Sequence, residues 1–481
     1  MTISVTGNEQ KIIESILDQY KDYTFYYYGS RVKGLSETTS DLDVLIKGSH
    51  EMPLSRLQEL KEKFDNSNLP YIVNFSDYYK INKDFFARIK SDLFPYNWQE
   101  AKLAELATIK YGKNQKDVAI ESGNIPIYGT GGILGYASKA LYDKPSVLIG
   151  RKGTIDKVRY VTKPFWTVDT TFYTIINDSK IFPRYFYYLL SSVDFSLYNE
   201  GTTIPSLRIE TLNRLEFTVP PLDVQKKIAG VLGALDDKIE LNNKINNNLE
   251  QQAQALFNNI YNTNNNGTLA DIVDVVESGS RPKGGAINKG IPSIGAENIE
   301  KFGVYDYSKE KFIDEIFYEK MKHGKVAAGD VLLYKDGAYT GKVSLALDGY
   351  PHRICAVNEH VFIIRGKSDV TSQFFLYFCL SDEKNKNYLH TLASSKAAQP
   401  GLNQSELLGL PIFIPASAVV KNFTLSVAPM MHKIASNAIE NNKLSALRDV
   451  LLPKLMSGEI DVSKVDVSEV ISADKSSFSG E

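Results

Sequence analysis

Tyr28-Gly29-Ser30, a spacer of ten residues and then Asp41-Leu42-Asp43 form the densest chemical constellation in this chain. Two carboxylates at i and i+2 of a strand point to the same face, an arrangement that grips a divalent cation carrying a nucleoside triphosphate. A Gly-Ser turn upstream, read as opening a helix, would offer backbone N–H groups and a hydroxyl to the phosphates. Gly29 and Ser30 are therefore candidate nucleotide-binding residues, and Asp41 and Asp43 candidate metal ligands. Transfer chemistry also needs a base for the attacking hydroxyl. At the position expected for it, on Tyr71-Ile-Val-Asn-Phe-Ser-Asp, stands Asn74, with Asp77 three residues on. Either Asp77 completes a catalytic trio with Asp41 and Asp43, or the domain binds nucleotide without transferring it.

A second set of candidates is cationic and amide side chains beside glycine turns, the residue types that contact phosphates and base edges. They are Lys113, Asn114, Gln115, Lys116, Arg151 and Lys152, and further on Ser280, Arg281, Lys283 and Lys335. Each taken singly reads more readily as a solvated surface charge than as a base contact. Other patterns fall away. Lys335-Asp-Gly-Ala-Tyr-Thr-Gly-Lys-Val has only three residues between its glycines, and Val follows Lys where a phosphate loop needs Ser or Thr. Gly129, Gly131 and Gly135 read as turn residues, not as a dinucleotide loop, and His352 with Cys355 lacks the companions that zinc requires.

The elements that must position these groups follow from pattern. Helix (Glu9 to Tyr20), strand (Phe25 to Ser30), acid-bearing strand (Asp41 to Ile46), helix (Leu54 to Phe64) and strand (Tyr71 to Phe75) predict a small α/β domain over 1–98. At 481 residues the chain has length for about three domains. No run of eighteen apolar residues and no basic, apolar leader occurs, so no membrane partner is expected. Two cysteines, Cys355 and Cys379, fit a reducing cytoplasm better than a disulfide framework. Residues 1–100 hold twelve Lys and Arg against fifteen Asp and Glu, and residues 101–222 fifteen against eleven, an asymmetry that permits a nucleic-acid partner without requiring one.

Beyond residue 100 the sequence is written twice. At an offset of 195, Leu207 falls on Leu402, Pro220 on Pro415, Ile239 on Ile434 and Leu249 on Leu444. Upstream, Val147-Leu-Ile-Gly-Arg-Lys-Gly-Thr matches Val331-Leu-Leu-Tyr-Lys-Asp-Gly-Ala, and Tyr185-Phe-Tyr-Tyr-Leu-Leu matches Phe374-Phe-Leu-Tyr-Phe-Cys. Two similar modules are expected, over 101–222 and 268–416, joined by the polar hinge Asn262 to Gly267. Each is followed by a heptad helix, over 223–262 and 417–458, with a frayed tail at 459–481. The first seam runs Ile228, Leu232, Leu235, Ile239, then Leu249, Ala253, Leu256 and Ile260, skipping Asn242 and Asn246. In the second, Asn437 and Asn441 stand in the middle. Antiparallel pairing would set Asn242 opposite Asn441 and Asn246 opposite Asn437, fixing register, since a buried Asn without a partner penalises slippage. Such helices would make a rod of roughly 50 Å that spaces the modules.

Tyr128-Gly-Thr-Gly-Gly-Ile-Leu-Gly-Tyr, Val147-Leu-Ile-Gly-Arg-Lys-Gly-Thr-Ile, Gly201-Thr-Thr-Ile-Pro-Ser-Leu and Val219-Pro-Pro-Leu-Asp-Val-Gln-Lys-Lys-Ile-Ala-Gly-Val-Leu form an ordered series. The series resembles the specificity subunit of type I restriction-modification systems, over about residues 101–458. The second copy departs at Pro415-Ala-Ser-Ala-Val-Val-Lys, which lacks Pro-Pro-Leu and the Gln. The resemblance implies a non-catalytic reader without a cofactor of its own. It would bind double-stranded DNA at a bipartite site and dock modification (methyltransferase) subunits and a motor-nuclease subunit. The front domain resembles the minimal nucleotidyltransferases of the DNA polymerase β superfamily, which implies magnesium and a nucleoside triphosphate, with Gly29 and Ser30 on phosphate and Asp41 and Asp43 on metal.

The expected fold class is α+β: a small nucleotidyltransferase-like domain, then two similar target-recognition domains joined by two long antiparallel helices. The expected function is DNA recognition in a restriction-modification complex. Nucleoside-monophosphate transfer by the front domain, with the rest as targeting module, is the alternative, and a coiled-coil adaptor without a DNA role is the third possibility.

Overall fold

The structure, a computed structural model, describes residues 3–262, 264–395 and 401–462; most of the expected tail lies outside them. The chain divides into two compact units, one formed by residues up to Leu235 with those from Leu447, the other by Asp236–Ala446.

In the first unit the front domain begins with helix α1 (Gly7–Leu17), whose start is set by a capping box between Thr6 and Glu9. Strands β1 (Tyr23–Tyr28), β2 (Leu42–Gly48), β3 (Val73–Asp77) and β4 (Phe94–Pro95) form a sheet in the order β3-β2-β1-β4. β1 and β2 pair antiparallel, β2 and β3 parallel. Helix α2 (Leu54–Asp65) supplies the crossover that a parallel pair requires, and helix α3 (Lys83–Ile89) follows β3. Each expected element exists, with strand bounds shifted by one or two residues. The exception is the helix after Gly29-Ser30: residues 30–34 make a tight turn, with Leu35 N donating to Ser30 O at 3.1 Å.

The first repeat module is closed at its base by Gln99–Lys102 pairing with Glu216–Val219. Its main sheet runs Val158–Val161, Ser146–Gly150, Thr171–Ile176, Ala107–Tyr111, all antiparallel. A second sheet carries a parallel pair, Trp166–Thr167 on Ile125–Gly129. The second module repeats the plan. Gly267–Thr268 pairs with Pro411–Ile412 at its base. Its main sheet orders Val343–Leu345, Val331–Tyr334, Val361–Gly366, Val273–Ser278, and Ala356–Val357 lies parallel on Ile291–Ile294. Helices Pro183–Ser191 and Gln373–Ser381, matched in sequence, follow equivalent strands.

The Pro-Pro-Leu-Asp-Val-Gln corner has a physical job. Gln225 is buried; its amide donates to Pro220 O at 2.8 Å and its carbonyl accepts from Phe182 N at 2.7 Å, fastening the strand-to-helix bend to the start of Pro183–Ser191. At the same offset in the second copy stands Val420, also buried, and there Ser372 caps its own helix through Phe375 N and accepts from Thr424 Oγ1. The missing Gln is replaced by a different cap.

Two long helices complete the chain, the central one Leu222–Ile260 with 39 residues and the C-terminal one Ser417–Met456 with 40. At ~1.5 Å per residue each is about 60 Å long. Within the second unit they run antiparallel at the level of the polar residues: Asn242 Nδ2 donates to Asn441 Oδ1 at 2.9 Å, and Asn437 Nδ2 to Asn246 Oδ1 at 2.8 Å. Asn441 Nδ2 also reaches Asn243 Oδ1 at 2.9 Å, and Asn242 reaches Glu440, whose carboxyl is held below its usual range chiefly by that hydrogen bond. Replacing Asn242 with alanine strands Asn441 and is expected to cost about 1–2 kcal/mol in denaturant unfolding. The pair Asn242→Leu with Asn441→Leu is expected to match or exceed wild-type stability, because apolar packing replaces a desolvated polar layer.

After the C-terminal helix, the described residues 457–462 dock on the front domain. Tyr26 OH donates to Gly458 O at 3.1 Å, Thr24 Oγ1 to Asp461 Oδ2 at 2.7 Å, and Lys90 pairs with Glu459 at 3.1 Å. Gly458 (φ +75°) lies so close to Pro95 that a Cβ would stand 2.6 Å from its ring, and Val462 is buried. The tail expected from 459 therefore starts as a packed segment; residues 463–481 lie outside the described structure. No described helix is long and apolar enough to cross a membrane.

Candidate functional sites

Asp43 sits on β2 opposite Tyr28 of β1 and Asn74 of β3. Asp41 lies one residue before β2. The Asn74 amide nitrogen is 3.2 Å from Asp41 Oδ2 and 3.3 Å from Asp43 Oδ1, so the two carboxylates converge on one point with Asn74 beside them. Burial raises the Asp43 carboxyl above its usual range; the Asn74 hydrogen bond opposes this and the Asp41 charge adds to it. Gly29, at φ +84°, brings the backbone against that carboxylate, where a Cβ would fall 2.4 Å from Asp43 Oδ2. Ser30 begins the tight turn beside it.

The residues present fit a divalent cation held by two carboxylates, with the remaining positions left for phosphate oxygens. They do not offer a third. Asp77 is three residues from Asn74 on β3 and therefore faces the other side of the sheet. There it is buried, its two oxygens accepting from Met52 N and Tyr79 N, each at 2.8 Å. Asp77 caps two backbone turns and is not brought to Asp41 and Asp43. Among the described residues no group of three His, Cys, Asp or Glu side chains is arranged to hold a metal ion.

Sequence reasoning missed Arg31. It is buried, stacks 3.6 Å over the Tyr71 ring, and donates to the backbone carbonyls of Ser4, Thr38 and Ser40. It thereby ties down the loop that delivers Asp41; a charged residue immediately after Gly-Ser was the available signal. The burial of the Asp43 carboxyl has a measurable consequence. Folding holds the Asp43 carboxyl above its unfolded value, so this group weakens the fold as pH rises through its titration. Asp43→Asn is expected to raise metal-free stability at neutral pH by an amount on the order of 0.5 kcal/mol, read as a higher melting temperature. The same variant should abolish any stabilisation by magnesium with ATP, read by thermal shift.

The glycine-rich motifs of the first module meet at one edge. Gly112 is packed so tightly that a Cβ would be 2.0 Å from Val168 O. Lys113 N donates to Thr167 O at 2.8 Å, and Arg151 N to Thr170 O at 2.8 Å, so Lys113 and Arg151 flank the same turn, 167–170. Lys152 bridges to Ser206, and Gly153 N donates to Pro205 O at 2.9 Å, which brings in the Gly201-to-Leu207 motif. Asn114 turns its carbonyl onto Lys116 N at 2.9 Å, with Gln115 between them. Arg159, which the sequence reading passed over, stands 5.4 Å over the Tyr128 ring beside the Gly-Thr-Gly-Gly turn.

The second module builds the equivalent edge with different charges. Gly279 packs on Val357 O, Ser280 and Arg281 follow, Lys335 N donates to His360 O at 3.0 Å, and Leu402 N to Lys335 O at 2.8 Å, as Leu207 N does to Arg151 O at 2.9 Å. Lys335 thus takes the place of Arg151 and Ser280 that of Lys113. Here acids intervene: Arg281 pairs with Glu359 at 2.9 Å, and His360 lies 2.8 Å from Asp336 and 3.3 Å from Glu359. Lys283 is exposed beyond this network. Cys355 and Cys379 are buried, free thiols, each pushed by burial up to about 12.

The architecture is a two-sheet module built twice, with a long helix after each copy. The domain family described as type I restriction modification DNA specificity domain matches residues 95–251, and the nucleotidyltransferase domain family matches residues 9–102. The specificity subunit of the type I restriction enzyme MjaIX of Methanocaldococcus jannaschii is 27% identical over 421 residues, 77% of this chain and 95% of that protein. The probable protein adenylyltransferase MntA of Haemophilus influenzae is 36% identical over 84 residues, 17% of this chain and 74% of that protein. In fold, the crystal structure of a type I restriction-modification S subunit from M. genitalium matches with a TM-score of 0.52 at 17% identity, over 75% of this chain and 96% of that one. The chain thus carries a type I restriction-modification DNA specificity domain over residues 95–251, preceded by a nucleotidyltransferase domain, and is similar over most of its length to type I specificity subunits.

Proposed function

We propose that this chain reads a bipartite site on double-stranded DNA, each module taking one half, and presents that DNA to the other subunits of a type I restriction-modification complex. The observation that carries this is the glycine-lined edge built twice on one plan, with Lys113 and Arg151 on one copy and Ser280, Arg281 and Lys335 on the other. Gly112 and Gly279 bring the backbone close, and the cations beside them supply phosphate and base-edge contacts. The reading part requires no cofactor. Its partners are the modification (methyltransferase) subunits and the motor-nuclease subunit, and the paired helices with their Asn layer carry the spacing between half-sites. Co-expression with a type I modification (methyltransferase) subunit, followed by purification and footprinting, tests this: co-purification with two protected half-sites is expected, and absence of both overturns it.

The front domain has a function of its own to which the converging Asp41 and Asp43 point: binding a magnesium-bound nucleoside triphosphate, with Gly29 and Ser30 at the phosphates. When bound, the cation would supply charge neutralisation at those phosphates. Asn74, neutral and without a proton-accepting carboxylate, favours binding over transfer.

A further inference from the structure

The Gly-Thr-Gly-Gly hairpin of the first module ends in a feature that the edge described above does not use. Ile125–Gly129 pairs with Gly132–Ala137, with Gly129 opposite Gly132, Tyr128 opposite Ile133 and Ile127 opposite Gly135. Leu134 is the extra residue of a bulge. Alternation along a strand would turn one of two neighbouring side chains inward; the bulge instead leaves Ile133 56% and Leu134 62% exposed. The hairpin is tailored to this: Gly132 has φ +141°, and a Cβ on Gly129 would lie 2.8 Å from Leu134 Cδ1.

Around the apolar tip stand cations. Arg159 Nη2 is 3.7 Å from the Cβ position of Gly132, and Thr130 Oγ1 is 3.9 Å from that of Gly153, next to Arg151 and Lys152. Lys152 and Arg159 form no ion pair with an acid among the described residues, and Arg151, also without one, donates Nη1 to the Asp169 carbonyl at 2.9 Å. Two adjacent exposed aliphatic side chains on the strand just after a two-residue turn, with unneutralised cations nearby, match a duplex whose phosphates flank an opened base step. A protein surface would gain from the apolar pair but has no general use for the rim.

We propose, resting on the DNA-reading role assigned above, that Ile133 and Leu134 form a wedge entering a base step of the half-site read by the first module, with Arg159, Arg151 and Lys152 on the phosphates beside it. Sequence preference at that step would then come from how readily it unstacks, not from hydrogen bonds.

The test uses the full chain with its methyltransferase partner and the footprinted duplex, carrying 2-aminopurine at successive positions. Wild type is expected to raise the fluorescence at one step of the first half-site. Ile133→Ser with Leu134→Ser should abolish that rise and lower affinity at least tenfold, leaving the slope of log affinity against log salt unchanged, since the cations remain. Both positions are exposed, and Ile133→Ala alone, with its melting temperature checked, guards against a folding defect. A rise that persists in the double variant, or no rise at any position with wild type, overturns the wedge. Loss of the partner subunit with DNA binding intact also overturns it, making the tip a protein-docking surface. Wild type that binds no duplex at all overturns the DNA-reading role itself.

Discussion

Replacing Lys113 and Arg151 together with alanine is expected to weaken binding of the footprinted duplex by about 10- to 100-fold near 0.15 M salt and to reduce the salt slope by about two. Both residues are hydrogen-bonded through their backbone to the 167–170 turn. A change on the corresponding edge of the second module, Arg281→Ala, is expected to do less to the slope. Arg281 already has a carboxylate 2.9 Å away, so binding phosphate there must first exchange one anion for another. Selection from a random library with each variant sorts the contacts: uniform loss means phosphate, relaxation at one position means a base edge. An unchanged slope and affinity in the first variant would remove this edge from the DNA interface.

The second large effect is a gain. Asn74→Asp places a third carboxylate within reach of Asp41 and Asp43, since the Asn74 amide is already 3.2 and 3.3 Å from them. A hydroxyl attacking the α-phosphorus of ATP, with pyrophosphate leaving, must lose its proton, and a positioned base contributes about 10²-fold or more. Transfer of labelled nucleoside monophosphate in the presence of magnesium is expected to rise at least tenfold in the variant and to vanish when Asp41 and Asp43 are also changed to alanine. Wild type as active as the variant would mean that Asn74 does not limit the reaction. Without metal, three carboxylates at such distances repel, so the variant is also expected to melt lower until magnesium is added.

Asp77 illustrates where reading along the chain stops. Its spacing from Asn74 offers a carboxylate nearby in sequence, yet an interval of three on a strand reverses the face, and the buried side chain is consumed by Met52 N and Tyr79 N. Gly29 was legible because a glycine before Ser30 implies special backbone, but the reason for it, the Asp43 oxygen at 2.4 Å from a Cβ, is a contact across strands. The helix expected after Ser30 fails because Arg31 is drawn inward to three carbonyls, favouring a turn over a helical continuation.

What the sequence determined by itself is whatever depends on period and repetition. The duplicated motifs, the 3.5-residue seams with Asn at matched places, the alternation of strand and helix in the front domain and the Asp-x-Asp pair are all local or self-similar patterns, and chemistry local in sequence is read from sequence. Tertiary structure alone decided which separated residues meet. Lys113 joins Arg151 through the 167–170 turn, Gln225 locks a corner against Phe182, residues 457–462 return to Tyr26 and Thr24, and a single bulge turns both Ile133 and Leu134 outward. The physical reason is that strand pairing and loop closure join positions tens to hundreds of residues apart, and no propensity or period within either segment encodes its partner.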